Sequence, residues 1–516
     1  MPALPLHAYN QASMRFEELL SGTELVRRAG PNAEIAAVEY DSRRVAAGSL
    51  FLAMQGGTTD GNRYIGKALE QGAAAIVTDS ATAFAEFARR HPELAIAEVP
   101  AGSGRRAMSA IAANFFRHPE RQMALSGVTG TNGKTTTAFV LDAMLNAHGR
   151  KTVLLGTIEN HVAGAIRPAL HTTPESRDLL ALFREGADAG ATEVVMEVSS
   201  HALAQGRVYG LPYDVAIFTN LTQDHLDFHG TMENYFAAKR ALFDGENGTP
   251  PRVAIVNIDD PYGAELAVIA RNAGAETHSY GLRNADFHAE DACLSPSGMT
   301  FRLVAPHGAV EMRTRLTGKV NLYNLLAAAG AASARGLTLD EIAQGAASLP
   351  CVPGRFQTVD ASQPFTVVVD YAHTDDALRN LIALARDFVG ADHRVITLFG
   401  CGGDRDRAKR PKMGRAAGEG SDYVVLTSDN PRSEDPEAIM ADALPGLVAT
   451  GAEFIAVVDR ARAIRLAVEA AHAGDIVLLA GKGHEKEQVL RAGPIPFDDA
   501  DVAAAALRAL QTGARA

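Results

Sequence analysis

The chain has 516 residues, 47% of them hydrophobic and 21% charged, with a net charge of −12 and a pI near 5.8. That length accommodates roughly three or four domains of ordinary size, each with a sizeable core. The acid excess argues against a nucleic-acid-binding surface, while a local basic pocket for a small anion stays open. Cys293, Cys351 and Cys401 are far apart, lack metal-ligand spacing and read as reduced thiols. Met1 to His7 carry no basic stretch followed by an apolar run, so no signal peptide is expected. No apolar run approaches the ~18 residues of a membrane span, and the expected location is the cytoplasm.

Residues 1–106 read as a first α/β unit, with strands at Ser49–Met54 and Ala73–Thr78 and a helix at Asn62–Gln71 between them. Asp41-Ser42-Arg43 falls in a polar turn, where a capping role alone would account for it. Residues 107–350 follow an α/β pattern, with strands expected at Met123–Val128, Lys151–Leu155, Glu193–Val198, Val215–Thr219 and Arg252–Asn257. Continuous apolar runs alternating with helix-length segments imply a mainly parallel sheet covered on both faces. In such sheets ligands bind at the carboxyl ends of the strands.

The stretch Gly127-Val-Thr-Gly-Thr-Asn-Gly-Lys-Thr-Thr-Thr137 joins the first of these strands to a helix running to about His148. A strand, a glycine turn and a helix N-terminus form a phosphate cradle, in which backbone N–H groups and the helix dipole favour an anion. Lys134 would meet the β- and γ-phosphates of a nucleotide, and the Thr135 hydroxyl would serve Mg²⁺. Val128 stands where the strict Walker pattern has glycine, so this is a variant loop. Two further strand ends carry Glu197-Val-Ser-Ser-His201 and Asn220-Leu-Thr-Gln-Asp-His-Leu-Asp-Phe-His229, side chains suited to a metal near phosphates. Taken alone, His225 would be a hydrogen-bonded structural histidine, but its position beside a triphosphate site favours a ligand role. Lys239, on a helix starting near Thr231, reads by itself as a solvated surface lysine.

Pro350-Cys-Val-Pro-Gly-Arg-Phe356 marks an interdomain connection. Beyond it lies a second α/β unit, 351–516, with strands at Thr366–Asp370, Arg394–Phe399, Tyr423–Thr427, Phe454–Val458 and Asp475–Ala480. Four of their carboxyl ends carry Asp370-Tyr-Ala-His373, Gly400-Cys-Gly-Gly-Asp-Arg405, Ser428-Asp-Asn-Pro-Arg432 and Gly481-Lys-Gly-His-Glu485. Two arginines in these loops offer bidentate recognition of carboxylates. No nucleotide loop is evident there, so a different substrate is expected.

With these residues in place, the chain resembles the Mur ligase family over nearly its whole length. The carrying motifs are Thr129-Gly-Thr-Asn-Gly-Lys-Thr-Thr136, Met196-Glu-Val-Ser-Ser-His201, Asp224-His-Leu-Asp-Phe-His-Gly230, Asn321-Leu-Tyr-Asn324, Pro353-Gly-Arg355 and Gly481-Lys-Gly-His-Glu485. Asp429-Asn-Pro-Arg432 is similar to the signature of family members that add meso-diaminopimelate.

The resemblance implies three α/β domains. A central P-loop-type, mainly parallel sheet would be flanked by an N-terminal UDP-binding domain and a C-terminal Rossmann-like domain. It implies ATP- and Mg²⁺-dependent amide formation in peptidoglycan precursor synthesis, between UDP-N-acetylmuramoyl-L-alanyl-D-glutamate and meso-diaminopimelate, through an acyl phosphate. It further implies a monomer that neither inserts into membranes nor binds nucleic acid. Carried over by motif, the ATP residues are Gly130, Thr131, Asn132, Gly133, Lys134, Thr135, Thr136, Asn324, Arg355 and Asp370. Thr135, Glu197, His225 and Lys239 match the Mg²⁺ environment, Lys239 as a carbamate formed with CO₂, and Lys134, His225 and Lys239 are the catalytic candidates. Ser42, Thr172, Thr173, Ser199, Gln205 and Arg207 match residues that hold the UDP-sugar peptide. Arg405, Asp429, Asn430, Pro431, Arg432, Gly481 and Glu485 match the diaminopimelate pocket.

Two departures stand out. Gly56-Gly-Thr-Thr-Asp-Gly61 lacks a His-Gln pair that some members place near uracil, and Asp375 replaces a usual proline, a change expected to touch only a helix N-terminus. The rivals are a lysine-adding, D-Ala-D-Ala-adding or folylpolyglutamate-type ligase and, from another class, a P-loop kinase or a nucleotide-binding regulatory module. The latter class leaves the C-terminal arginine loops unexplained.

Overall fold

A computed structural model describes residues 13–57 and 59–512, so Met1 to His7 and Thr58 lie outside the described residues. The chain divides into two compact units. One runs to Glu290 and adds Leu303–Val310 and Tyr323–Ala346; the other comprises Asp291–Arg302, Glu311–Leu322 and the chain from Ala347 onward.

The first unit begins with a five-stranded sheet of β1 (Arg27–Ala29), β2 (Ala37–Glu39), β3 (Ser49–Ala53), β4 (Ala75–Thr78) and β5 (Ala95–Glu98), in the order β1-β5-β4-β3-β2. All pairings are parallel except β1 with β5. β3, β4 and β5 are buried at every position, and the first two match the apolar runs expected at Ser49–Met54 and Ala73–Thr78; β5, which ends in Glu98, is not among the expected strands. The helix expected at Asn62–Gln71 starts as a 3₁₀ turn, Gly61–Tyr64, capped by Asp60, and becomes α-helical at Ile65. Helix α1 (Gly104–Phe115) follows.

An eight-stranded sheet comes next: β6 (Ala124–Thr129), β7 (Thr152–Leu155), β8 (Glu159–Val162), β9 (Ala165–Pro168), β10 (Glu193–Glu197), β11 (Tyr213–Phe218), β12 (Val253–Asn257) and β13 (Glu276–Tyr280). The order is β9-β8-β7-β10-β6-β11-β12-β13, parallel from β7 across to β13 and antiparallel at one edge, where β8 pairs with both β7 and β9. Leu125, Val194, Ala216 and Ala254 are fully buried in a core that also takes in Leu50 and Val77 from the preceding sheet, Ile111 from α1 and Phe16 from a short N-terminal helical turn. Full burial of a large apolar side chain contributes about 1.5–3 kcal/mol. Helices α2 (Lys134–Ala147), α3 (Ser176–Asp188), α4 (Ser200–Ala204) and α5 (Met232–Asp244) connect the strands, and α6 (Lys319–Ala334) comes later in the chain. A three-stranded sheet, His288–Ser295, Gly298–Ala305 and Gly308–Thr314, precedes α6.

In the second unit, β14 (Gln357–Thr358), β15 (Thr366–Asp370), β16 (Val395–Cys401), β17 (Tyr423–Ser428), β18 (Glu453–Val457) and β19 (Ile476–Ala480) form a sheet ordered β14-β15-β19-β16-β17-β18. All neighbours are parallel except β14 with β15. Separate apolar clusters line the sheet, one holding Val368, Phe399 and Leu426 and the other Val367, Leu398 and Val425. Asp375 is the first residue of α7 (Asp375–Val389), after the N-cap Thr374. No helix among the described residues is long and apolar enough to cross a membrane, and all three cysteines are free thiols.

Candidate active site

The carboxyl end of β6 runs into the loop Gly130 to Gly133, and α2 starts at Lys134. Two glycines are obligatory here. Gly130 has φ +145°, and a Cβ on it would lie 1.9 Å from Thr219 Oγ1; Gly133 has φ +88°, and a Cβ would lie 2.4 Å from Asn324 Oδ1. The end of β11 fixes the loop. Thr219 Oγ1 donates to Asn132 O (2.6 Å), Asn132 N donates to Asn220 Oδ1 (2.9 Å), and Thr131 N donates to Asn220 O (2.8 Å). Lys134 folds back over the loop, its Nζ donating to Gly130 O (3.0 Å) and Thr131 O (2.9 Å). Thr135 and Thr136 lie in the first turn of α2, each 5% exposed. This is a cradle of backbone N–H groups, a helix N-terminus and an ammonium, and it fits a nucleotide's phosphates.

Around it stand the other charged candidates. Glu197, the last residue of β10, is buried and held by Thr157, which donates from N to Oε1 (2.7 Å) and from Oγ1 to Oε2 (3.0 Å). His225 sits at φ +52° ahead of a single helical turn, Leu226–His229. That turn is fastened by His229, whose ring bonds Ser200 Oγ (2.9 Å) and lies against Tyr235. Burial lowers the His201 and His225 pKa values, and it takes His229 to about 4, with the neighbouring His201 and Lys239 adding to the effect.

Lys239 is not the solvated lysine that its sequence context suggests. It projects from α5 to a site 1% exposed, donates to Gly130 O (2.7 Å) and lies 4.6 Å over the Tyr235 ring. Burial, reinforced by the nearby Lys134 ammonium, holds its amine well below the usual lysine range. Among the described residues no three His, Cys, Asp or Glu side chains form a closed metal cage. Mg²⁺ seldom uses such a cage; it takes one or two carboxylates and shares phosphate oxygens. A buried carboxylate at Glu197 and a hydroxyl at Thr135 beside a phosphate cradle fit that habit.

The UDP-sugar candidates cluster in the same unit. Thr173 Oγ1 donates to Glu197 O (2.9 Å), Ser199 N donates to Thr173 Oγ1 (3.0 Å), and Thr172 Oγ1 lies 3.1 Å from Thr157 Oγ1. Ser199 also caps α4. Arg207 Nε donates to Gln205 Oε1 (3.1 Å) and pairs with Glu175 (3.1 Å), which also holds Arg105 (3.2 Å). Ser42 is buried in a short 3₁₀ turn whose cap is Asp41. The capping role expected of that stretch is real, and it belongs to Asp41.

In the second unit four adjacent strands bring the other loops to one sheet edge. Arg355 lies 4.9 Å over the Tyr371 ring, and Asp370 accepts from Phe356 N (2.7 Å) and Ala372 N (2.9 Å). Burial raises the Asp370 pKa, with Arg355 opposing. Arg405 and Arg432 flank the Gly402-Gly403 loop, where a Cβ on Gly403 would lie 2.0 Å from Pro431 O. Arg432 takes φ +52°, its N donating to Val489 O (2.9 Å) and its Nη1 to Gly403 O (2.8 Å). Asn430 Nδ2 donates to Glu485 Oε2 (2.7 Å), and fully buried Lys482 donates to Asn430 Oδ1 (3.0 Å) and Glu485 Oε2 (2.9 Å). Gly481 takes φ +114°, a conformation that favours glycine, beside Asp429. Among the described residues Asp429 Oδ1 finds no hydrogen-bond donor, a buried acceptor that suits an incoming ammonium.

Sequence reasoning missed Thr157, Glu175, Arg105 and Arg460, which act only through spatial neighbours and carry no local signature. Lys482 and His229 stood inside quoted motifs without a role.

Three family profiles match the chain: Mur ligase family, catalytic domain, over 34–117; Mur ligase middle domain over 128–332; and Mur ligase, glutamate ligase domain, over 354–483. A UDP-N-acetylmuramoyl-L-alanyl-D-glutamate–2,6-diaminopimelate ligase of Solibacter usitatus is 50% identical over 499 residues, covering 96% of this chain and 98% of that protein. One of the same description from Geobacillus thermodenitrificans is 44% identical, covering 96% and 99%. A solved structure of a ligase of that description superposes with a TM-score of 0.70 at 33% identity, covering 97% of this chain and all of that one. MurF of Thermotoga maritima in complex with ADP, at 19% identity and a TM-score of 0.61 over 93% of this chain and 98% of that one, shares the fold.

Proposed function

This chain belongs to the Mur ligase family, with its three-domain, mainly parallel α/β architecture, and on that premise we propose that it is the enzyme joining meso-2,6-diaminopimelate to UDP-N-acetylmuramoyl-L-alanyl-D-glutamate. The observation that carries the reading is 50% identity over 499 residues with a ligase of that description. Reaction would take place in the cytoplasm, on a monomer, with residues 1–106 taking the UDP-sugar, 107–350 ATP and 351–516 the amino acid.

The chemistry is attack of the D-glutamate γ-carboxylate on the ATP γ-phosphorus, releasing ADP and leaving an acyl phosphate. The amine then attacks the acyl carbon, and phosphate leaves as the amine loses a proton. Lys134 offsets the charge of two anions brought together, and the N–H groups of the Gly130–Gly133 loop hold the phosphates in place. Bound Mg²⁺ would add positive charge to the same phosphate oxygens. Thr135, Glu197, His225 and Lys239 are the residues that would hold it. An ammonium cannot coordinate a metal, but a neutral amine reacts with CO₂ to give a carbamate with carboxylate-like oxygens; the burial of Lys239 supports that form. Asn324, Arg355 and Asp370 are assigned to the nucleoside. Ser42, Thr172, Thr173, Ser199, Gln205 and Arg207 are assigned to the UDP-sugar peptide. Arg405 and Arg432 would pair with carboxylates of the diaminopimelate, and Asp429 and Glu485 with an ammonium.

The test is phosphate release by purified protein with ATP, Mg²⁺ and the UDP-dipeptide. Turnover should require the amino acid. Multiple turnover to a stable phosphorylated product without any amino acid would favour the kinase reading.

A further inference from the structure

Beneath the second unit's loops lies an ion pair that none of the assigned chemistry uses. Arg460 opens helix α8 (Arg460–Glu469), Asp499 opens the last helix of the chain, and both side chains have 0% exposure. Arg460 Nε donates to Asp499 Oδ1 (2.8 Å) and Nη2 to Asp499 Oδ2 (2.6 Å). The same guanidinium reaches two strand ends: Nη2 donates to Ala480 O (3.1 Å) and Nη1 to Ser428 O (3.4 Å). Ser428 is the residue before Asp429-Asn430, and Ala480 the residue before Gly481-Lys482.

These two strand ends have no ladder with each other, Ser428 pairing with Cys401 and Ala480 with Asp370. β16 lies between β17 and β19, and its pairing with β19 stops at Leu398↔Leu479, whereas its pairing with β17 continues to Cys401↔Ser428. Beyond that point Arg460 spans the gap between the two strand ends from beneath, while the Asn430–Glu485–Lys482 hydrogen bonds join the loops themselves. A buried ion pair is a poor device for stability alone, because desolvating both charges cancels much of their attraction, and well-packed apolar replacements are often neutral. A planar fork of five donors can hold a carboxylate with two bonds and still reach two carbonyls, which neither lysine nor an apolar residue can do.

We propose that Arg460, anchored by Asp499, is a positioning residue that sets the spacing between the Asp429-Asn430 and Gly481–Glu485 loops and so determines how the amino-acid substrate is held. This rests on the reading of those loops as the amino-acid pocket. The experiment measures KM for meso-diaminopimelate, ATP and the UDP-dipeptide, with thermal melting, in wild type, in the double variant R460M/D499L and in Arg460→Lys. The double variant removes both charges together, and Arg460→Lys keeps the charge opposite Asp499 while giving up the bonds to the carbonyls. Loosening the loops by about an ångström predicts a rise of about tenfold or more in KM for diaminopimelate, with the other two KM values within about twofold. If the double variant does not fold, Arg460→Lys carries the comparison alone. A folded variant with unchanged diaminopimelate KM, or with all three KM values rising together, overturns the positioning role and leaves the pair a plain core element. Wild type that ignores diaminopimelate overturns the functional reading, and this inference falls with it.

Discussion

Replacing Lys239 by alanine separates a metal-side role from a packing role. The substitution deletes three methylenes and an amine from a site 1% exposed. At ~0.8 kcal/mol per buried CH₂ the lost burial costs about 2–3 kcal/mol. Relief from burying an amine returns about 1–3 kcal/mol. The lost bond to Gly130 O (2.7 Å) adds about 1 kcal/mol of cost. The sum is small, and the melting temperature should move by only a few degrees. Activity should behave otherwise. Removing one group that stabilises developing charge costs roughly 10²–10³ in kcat, so the variant should be folded and nearly inactive. The void it leaves can admit a short carboxylic acid, whose oxygens would stand in for a carbamate. The assay is phosphate release at saturating substrates, with and without formate, acetate or propionate. Partial rescue is expected. A variant as active as wild type, or an inactive one that melts normally and that no carboxylate rescues, refutes the carbamate reasoning.

Three further outcomes can be checked. Gly133→Ala forces a Cβ to 2.4 Å from Asn324 Oδ1 at φ +88°; ATP binding measured by calorimetry should weaken about five- to thirtyfold, since strain of about 1–2 kcal/mol falls on the phosphate loop itself. Arg432→Ala should raise KM for meso-diaminopimelate by about ten- to a hundredfold, in line with about 1.5–3 kcal/mol for a charged hydrogen bond, and should narrow its advantage over L-lysine in a competition assay. His229 is held neutral down to about 4 in the folded protein, whereas an unfolded histidine titrates near 6.5. The unfolded chain therefore binds more protons across that window, stability must fall as pH drops from 6.5 towards 4, and His229→Asn should flatten that part of a melting-temperature profile.

Much of this architecture was legible in the sequence because parallel strands buried on both faces must be continuously apolar. Glu193–Val198 and Thr366–Asp370 showed it, and the structure places strands at Glu193–Glu197 and Thr366–Asp370. The loops at their carboxyl ends followed from the rule for parallel sheets. Edge elements escaped for the converse reason. β13, Glu-Thr-His-Ser-Tyr, is polar and partly exposed, and the β8–β9 hairpin turns at Ala163-Gly164 with no strong turn pair to announce it. Side-chain partnerships across long separations were also invisible: Arg460 meets Asp499, and Glu175 meets Arg105 and Arg207. Lys239 shows the same limit. A helical Tyr-Phe-Ala-Ala-Lys-Arg stretch does not say which face is buried, and the lysine proved to face the phosphate loop.

The central claim is that this chain forms an amide bond between a UDP-linked dipeptide and diaminopimelate at the expense of ATP. The most direct measurement incubates the protein with ATP, Mg²⁺, UDP-N-acetylmuramoyl-L-alanyl-D-glutamate and equal concentrations of meso-diaminopimelate and L-lysine, then weighs the nucleotide product by mass spectrometry while counting ADP and phosphate. The account predicts a product extended by diaminopimelate, with ADP and phosphate released in step with each bond. A lysine-extended product would contradict the specificity assigned to the Asp429–Arg432 loop, and ADP released over many turnovers with only a phosphorylated dipeptide as product, neither amino acid being joined to it, would contradict the ligase itself.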